Sequence, residues 1–277
     1  MIHELDDTEF NIVRPLFSSL EEYNLSILSV FEGNYRGRIF VNDRKNPSSG
    51  FIYLGRRTFN FVGSPNDNSF NQALIQVLEE DIFPNNREKG SKNFMIFYES
   101  EWSKVIEHFF DTLLLENRRF YTIDQKERRD WESTLNPDFV IEKIDRDFVE
   151  NKLYTYPDEI PVERWITFLW GSNENFYDRG FAFSVVYKKK LVVSTSFCNY
   201  LSNDKSRCDI GIITKLDFQR KGLGKNLVSH VLEYCWNQGI KKVEWHTSKE
   251  NIASIKLAES VGFKFIRKYQ IFYNEWQ

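Results

Sequence analysis

The sequence predicts an α/β protein, a mixed α+β sheet flanked by helices, arranged as two domains of similar build. Three observations predict it. Short apolar runs of strand character alternate with longer stretches whose apolar residues recur every three or four positions. Hydrophobic residues make up 41% of the 277-residue chain and aromatics 16%, which is ample for two packed cores and excludes a disordered chain. The order meander, helix, strand, helix, strand occurs twice.

In the first half, residues 38–42, 50–54 and 58–62 read as a short-turned meander. Residues 69–80 place Phe70, Leu74, Val77 and Leu78 on one helical face, and 94–98 is a strand. Residues 102–115 read as a helix with Val105, Ile106, Phe109, Leu113 and Leu114 apolar, and 119–123 as a strand. The chain then turns polar and highly charged over 122–134, and Asn136-Pro137 follows. A linker or connecting helix is expected over 126–137, between domains at 1–125 and 138–277.

The second half opens with a strand at 139–144 and helical stretches near 147–153 and 162–170. A hairpin follows, 181–187 and 191–198, turning at Lys188-Lys189-Lys190, with a third strand at 207–214. A helix starts at Leu223, carries Leu227, Val228, Val231, Leu232 and Cys235 as its stripe, and stops at Gly239. A strand at 241–247, a helix from Asn251 to the Gly262-Phe263 stop and an alternating run at 264–273 complete the pattern.

Charge and cysteine usage exclude several functions. Lys and Arg number 37 against 40 Asp and Glu, a net charge of −3 that offers nucleic acid no basic field. Cys198, Cys208 and Cys235 lie in apolar contexts without metal-ligand spacing, so buried reduced thiols and no metal site are expected. The start, Met-Ile-His-Glu-Leu-Asp-Asp, has no apolar leader core, and no run approaches the roughly 18 apolar residues of a membrane span. The expectation is a soluble cytoplasmic protein, monomer or homodimer, without nucleic-acid or membrane partners.

One stretch carries chemistry. Gln219-Arg220-Lys221-Gly222-Leu223-Gly224 joins a strand to a helix, where free N–H groups and the helix dipole suit a phosphate or pyrophosphate. It is no P-loop, because position 219 is Gln rather than Gly and Asn226 stands where Ser or Thr is needed. It is no dinucleotide fingerprint, because the third Gly would fall at Leu227. What remains, Gln-x-x-Gly-x-Gly, resembles the acyl-CoA signature of the GNAT (GCN5-related N-acetyltransferase) superfamily. The downstream helix from Asn251 to Gly262-Phe263 resembles the second half of that core.

The resemblance is strongest over 205–265. The whole layout is similar to a bacterial subgroup in which a cofactor-less GNAT-like domain precedes an active one, and to which a zwittermicin-resistance acetyltransferase belongs. Phe31-Glu-Gly-Asn-Tyr-Arg-Gly-Arg-Ile-Phe-Val-Asn-Asp resembles the first hairpin of that subgroup. The first half has Gly63-Ser-Pro at the loop position, with Asp67 close by and no Gly-x-Gly, so the first domain is expected to be degenerate and the chain to have one cofactor site.

The resemblance implies transfer of an acetyl group from acetyl-CoA to an amine in a ternary complex. The implied cofactor site is the backbone from Gln219 through Arg220, Lys221, Gly222, Leu223 and Gly224, with Lys225 just inside the helix. Arg220, Lys221 and Lys225 are cations at a helix N-terminus, a placement that opposes the dipole and favours an anionic partner. Ile212, Ile213 and Thr214 are implied to pair with the pantetheine arm, one amide serving as oxyanion donor. Asn251 reads as an N-cap, and the resemblance adds a contact to the cofactor arm.

For proton removal the candidates are Asp209, a carboxylate on an otherwise apolar strand, and His246, whose ordinary pKa is near neutral. Many family members carry a Tyr as general acid where this chain has Ala258. Either the thiolate leaves unaided, since a thiol pKa of about 8.5 makes a fair leaving group, or Tyr269 or Tyr273 substitutes. The acceptor pocket is expected to be lined by loops near 153–162, 171–180 and 199–206, with Tyr154, Tyr156, Trp170, Tyr177 and Tyr200. The leading reading is a small-molecule amine N-acetyltransferase. Two others stand beside it, a non-catalytic acyl-CoA sensor and a peptide or protein N-acetyltransferase.

Overall fold

The structure is a computed structural model that describes residues 1–55, 58–88, 93–110, 112–132, 134–150, 154–156 and 162–275. Its elements, in chain order, begin with β1 (His3–Glu4), α1 (Phe10–Val13), α2 (Ser18–Glu21), α3 (Leu25–Phe31), β2 (Gly37–Val41), β3 (Ser49–Leu54) and β4 (Thr58–Gly63). Next come α4 (Asn68–Val77), α5 (Phe83–Glu88), β5 (Asn93–Tyr98), α6 (Ser103–Phe109) and β6 (Leu113–Asp124). Then follow β7 (Phe139–Lys143), α7 (Arg146–Glu150), α8 (Val162–Trp170), α9 (Asn173–Arg179), β8 (Ala182–Tyr187), β9 (Leu191–Leu201) and β10 (Arg207–Thr214). The chain closes with α10 (Leu223–Asn237), β11 (Lys242–Ser248), α11 (Ile252–Val261) and β12 (Lys264–Glu275).

The chain divides into two compact units, one of Met1–Arg118 with Lys268–Gln277, the other of Arg119–Arg267. In the first unit β2, β3 and β4 form the expected antiparallel meander, β4 pairs β5 in parallel, and β12 pairs β5 antiparallel. Its core is aromatic. Phe59 stacks on Phe94 with ring centroids 4.4 Å apart, and Phe51, Phe61 and Trp102 are fully buried around them. Residues 268–275 group with this unit, and Phe272 joins its core, stacked on Tyr98 at 4.9 Å.

In the second unit β7, β8, β9 and β10 are antiparallel neighbours and β10 pairs β11 in parallel. Strand β6, whose residues from Arg119 on belong to this unit, is the next neighbour of β11. The same series of meander, helix, strand, helix thus occurs in each unit. The hairpin turns as expected, with Lys188 and Lys189 both at positive φ (47° and 54°), the backbone of a type I′ turn. Leu227, Val231, Leu232 and Cys235 bury the stripe of α10 in the core, which also holds Cys198 and Cys208, and all three thiols are free.

Three stretches differ from the sequence expectation. The helix expected to 115 ends at Phe109, because Phe110 turns extended (φ −137°, ψ 131°) to bury its ring, and 113–115 open β6 with Leu114 and Leu115 exposed. The first 31 residues form three short helices, and the expected hairpin from Phe31 begins as a strand only at Gly37. The expected loop at 171–180 is mostly α9, capped by Ser172, whose side chain accepts the Asn175 N–H. Residues 151–153 and 157–161 of the other expected stretches lie outside the described residues.

Candidate active site

The two parallel strands of the second unit part company. Their ladder holds only Arg207 to Lys242, Cys208 to Val243 and Asp209 to Glu244. Beyond it β10 runs to Thr214 and β11 to Ser248 unpaired with each other, which opens a wedge. β9 keeps hold of β10 throughout, from Ile210 opposite Cys198 to Thr214 opposite Ser194. Backbone groups alternate sides along a strand. Lys215 N donates to Val193 O at 2.9 Å, and the carbonyls of Gly211 and Ile213 accept from the Ser196 and Ser194 hydroxyls on β9. The amides of Ile212 and Thr214 therefore face the wedge, whereas that of Ile213 faces β9.

Among the described residues, the first unit shows no such opening. There the pairing of β4 with β5 runs from Thr58–Met95 to Phe61–Tyr98, and Glu99 N extends it by donating to Phe61 O at 3.1 Å. At the strand end the Glu99 carboxylate accepts from Gly63 N at 2.6 Å and from the Ser19 hydroxyl. An internal carboxylate thus takes up a main-chain N–H at this strand end.

The turn after β10 is shaped by two residues in the left-handed region, Arg220 (φ 58°) and Gly222 (φ 76°). Gly222 is the N-cap of α10 and supplies no side-chain cap. The first helical bond here runs from Asn226 N to Gly222 O at 3.1 Å. Among the described residues, the N–H groups from Arg220 through Lys225 make no hydrogen bond of their own, so they remain available to a ligand. Gln219 closes the turn, its Nε2 donating to Thr214 O at 3.1 Å. The two glycines serve different needs. Gly222 supplies the backbone conformation, while a Cβ on Gly224 would meet Leu257 of α11 at 3.2 Å. Arg220, Lys221 and Lys225 are exposed, with Lys221 Nζ 4.7 Å from the Phe218 ring centroid.

The polar end of the wedge lies where the ladder stops. Asp209 is buried, and Asn199 Nδ2 is 3.4 Å from its Oδ2. Two positions beyond Glu244 on the same strand face is His246, whose ring stacks on Phe120 at 4.7 Å. Asp209 and His246 thus occupy adjacent strands of one unit. Sequence reasoning missed a pair beside them. Arg207 grips the Glu244 carboxylate through Nε (2.5 Å) and Nη2 (3.2 Å), with the Glu244 side chain only 1% exposed. Burial pushes the Glu244 carboxyl up from its ordinary pKa, and Arg207 opposes that shift.

The remaining candidates have contacts of their own. Tyr269 belongs to the first unit, where it is buried against Tyr23 and Phe97 and accepts from Arg118 Nε at 3.0 Å. Tyr273 lies beside the same Arg118, and burial raises its pKa. Of the expected pocket aromatics, Trp170 is core, donating to Cys198 O at 3.1 Å, and Tyr154 packs on Phe148 at 4.5 Å. Tyr200 is opposite Asp209 on β9. A cavity of about 270 Å³ lies at the far end of α10, roughly 20 Å of helix from the turn, and two of the expected pocket aromatics, Trp170 and Tyr177, line it together with Tyr234 and Gln238.

Asn251 is the N-cap of α11, its Oδ1 accepting from Ser254 N at 3.0 Å. Asn251→Ala should lower stability by about 1 kcal/mol, and Asn251→Asp, which keeps the acceptor, should restore it. Thermal denaturation of the two variants checks this. A parent-like melting point for the alanine variant refutes a capping role.

The wedge between parallel strands thus ends at a glycine-nucleated helix start whose N–H donors have no partner among the described residues. The chain belongs to the GNAT acetyltransferase family, whose family model matches residues 14–272, and it is an N-acetyltransferase by that membership. It is similar to YdfB of Bacillus subtilis (strain 168), described as an uncharacterized N-acetyltransferase, at 23% identity over 99% of both chains. Among solved structures, a GCN5-related N-acetyltransferase-like protein from Streptococcus suis 89/1591 has a TM-score of 0.67 at 23% identity, over 98% of this chain and 99% of the other. A tandem GNAT protein from the clavulanic acid biosynthesis pathway has a TM-score of 0.59 at 12% identity, over 99% and 98%. These likenesses show the fold. Among the described residues no helix is long and apolar enough to cross a membrane, and no cluster of His, Cys, Asp or Glu could hold a metal ion.

Proposed function

We propose that the second unit transfers the acetyl group of acetyl-CoA to a primary amine of a small molecule within a ternary complex. The observation that carries this reading is the wedge with its turn: unspent N–H groups from Arg220 to Lys225 stand after a strand whose Ile212 and Thr214 amides have lost their neighbour. Donors at a helix start suit a pyrophosphate, and Arg220, Lys221 and Lys225 add charge of the right sign. When bound, acetyl-CoA supplies a thioester as acetyl donor. The amide of Ile212 or Thr214 would hold the carbonyl oxygen as it gains charge. Asp209 or His246 would accept the proton of the attacking amine, directly or through a water. We assign no general acid and let the thiolate leave unaided.

We assign the first unit, a closed and degenerate copy of the fold, no cofactor site. Titration calorimetry with acetyl-CoA should therefore give one site per chain, and free thiol should appear when a panel of small amines is added. Two sites, or none, would overturn the cofactor reading. Binding without thiol release would favour an acyl-CoA sensor, and thiol release with peptides alone would favour a peptide or protein N-acetyltransferase.

A further inference from the structure

The segment that follows β6 is a strap on the second unit. Gln125 Nε2 donates to Trp236 O at 3.1 Å, and Arg128 Nη1 reaches Asn237 Oδ1 at 3.4 Å, both at the end of α10. Trp131 Nε1 donates to Val261 O at 3.3 Å, at the end of α11. The strap then meets Asn226, inside the first turn of α10. Thr134 N donates to Asn226 Oδ1 at 3.0 Å, and Asn226 Nδ2 donates to Thr134 Oγ1 at 3.3 Å and to Gly222 O at 3.0 Å. Asn226 as a whole is 9% exposed.

An asparagine inside a helix is a poor helix former, and a buried one needs its polar atoms satisfied. Asn226 meets the second need by bridging the strap to the turn. The carbonyl it holds has a consequence for the site. Gly222 C=O and Leu223 N–H belong to one planar peptide group, so fixing the carbonyl fixes where that N–H points. Gly222 O accepts from both Asn226 N and Asn226 Nδ2. Two donors from inside the helix hold the plane, and the Leu223 N–H is left aimed out of the helix start, toward the anion position.

We infer that Asn226 is a positioning residue for the cofactor turn, and that the strap residues 128–132 and 134 act on the turn through it. The inference rests on the acetyl-CoA reading of that turn. It assigns the site-holding role to a residue outside the Gln-x-x-Gly-x-Gly run. Coupling between the strap and the ligand is reciprocal, so acetyl-CoA should in turn hold the strap in place.

Asn226→Ala should raise the acetyl-CoA dissociation constant about tenfold while leaving kcat at saturating cofactor within about twofold of the parent. Thr134→Val, which leaves α10 intact, should raise the constant about threefold by freeing one side of the carboxamide. Hydrogen exchange supplies a readout that a merely structural role would not move. Acetyl-CoA should slow exchange at the Thr134 amide and along 128–132 in the parent, and the slowing should be lost in Asn226→Ala. If both variants bind as the parent does, or cofactor leaves strap exchange unchanged in the parent, the inference is wrong although the cofactor reading stands. A parent that binds no acetyl-CoA removes both.

Discussion

Gly222→Asp is expected to raise the acetyl-CoA dissociation constant on the order of a hundredfold. Two effects combine. The backbone of Gly222 sits at φ 76°, where a side chain costs about 1–2 kcal/mol. Space is not the obstacle, since an added Cβ would find only Asn226 Nδ2, at 3.8 Å. The strain is relieved if φ swings negative, but that turns the N–H groups of the helix start away from the ligand. The new carboxylate then adds repulsion toward a pyrophosphate, roughly 1–4 kcal/mol at about 4 Å in a half-solvated setting. Gly222→Ala isolates the first effect and should weaken binding about tenfold. Calorimetry on the two variants measures both. If Gly222→Asp binds acetyl-CoA as tightly as the parent, the turn is not the pyrophosphate site.

Much of this turn was legible in the chain. Glycine at a strand-to-helix junction, a helical stripe from Leu223 and a second helix bracketed by Asn251 and Gly262 are local signals, and each reflects a local cause. Gly222 and Gly262 both adopt positive φ, and Asn251 caps through its own side chain. The meander and hairpin were legible for the same reason, because turn chemistry and alternation act over a few residues. What escaped was set by pairing between distant segments. Nothing in the run 241–247 says that Glu244 lies opposite Asp209 and in the grip of Arg207, since register is decided by the whole sheet. Nothing local says that β12 passes from Lys268 on into the first unit. The charged stretch after β6 read as a linker because its residues are polar. Its anchoring bonds go to main-chain and side-chain atoms more than ninety positions away in the chain.

The wedge also illustrates how two copies of one fold come to differ. Both units pair a meander's last strand in parallel with the strand after a helix. In the first, the ladder runs to Phe61 and a carboxylate, Glu99, satisfies the Gly63 N–H. In the second, the ladder stops at Asp209 and the donors beyond it stay unspent. An opening between parallel strands leaves main-chain groups unpaired, so it is stable only where water or a ligand meets them. The open copy is therefore the one to which we assign the site, and its apex must be held by something other than the missing ladder.

That hold falls to the Arg207–Glu244 pair, which spans the last rungs before the wedge opens. Arg207→Met is expected to destabilise the second unit by about 3–5 kcal/mol, because it leaves a buried carboxylate without its partner. A melting point lower by roughly 10 °C is the expected readout. The pH dependence has a definite sign. Burial raises the Glu244 carboxyl above its ordinary pKa, so the folded protein holds that proton more tightly than the unfolded chain does. Stability contributed by this group is therefore present at low pH and lost as pH rises through the window between the two values. Arg207 narrows the window by favouring the carboxylate, and its removal widens the window upward. The gap in melting point between the parent and Arg207→Met should thus shrink as the pH falls from about 8 toward about 5. Adding Glu244→Gln to Arg207→Met removes the stranded charge and should recover most of the loss at neutral pH. A gap that stays constant or grows on acidification, or a double variant no more stable than Arg207→Met alone, would show that Glu244 is not the charge this arginine holds.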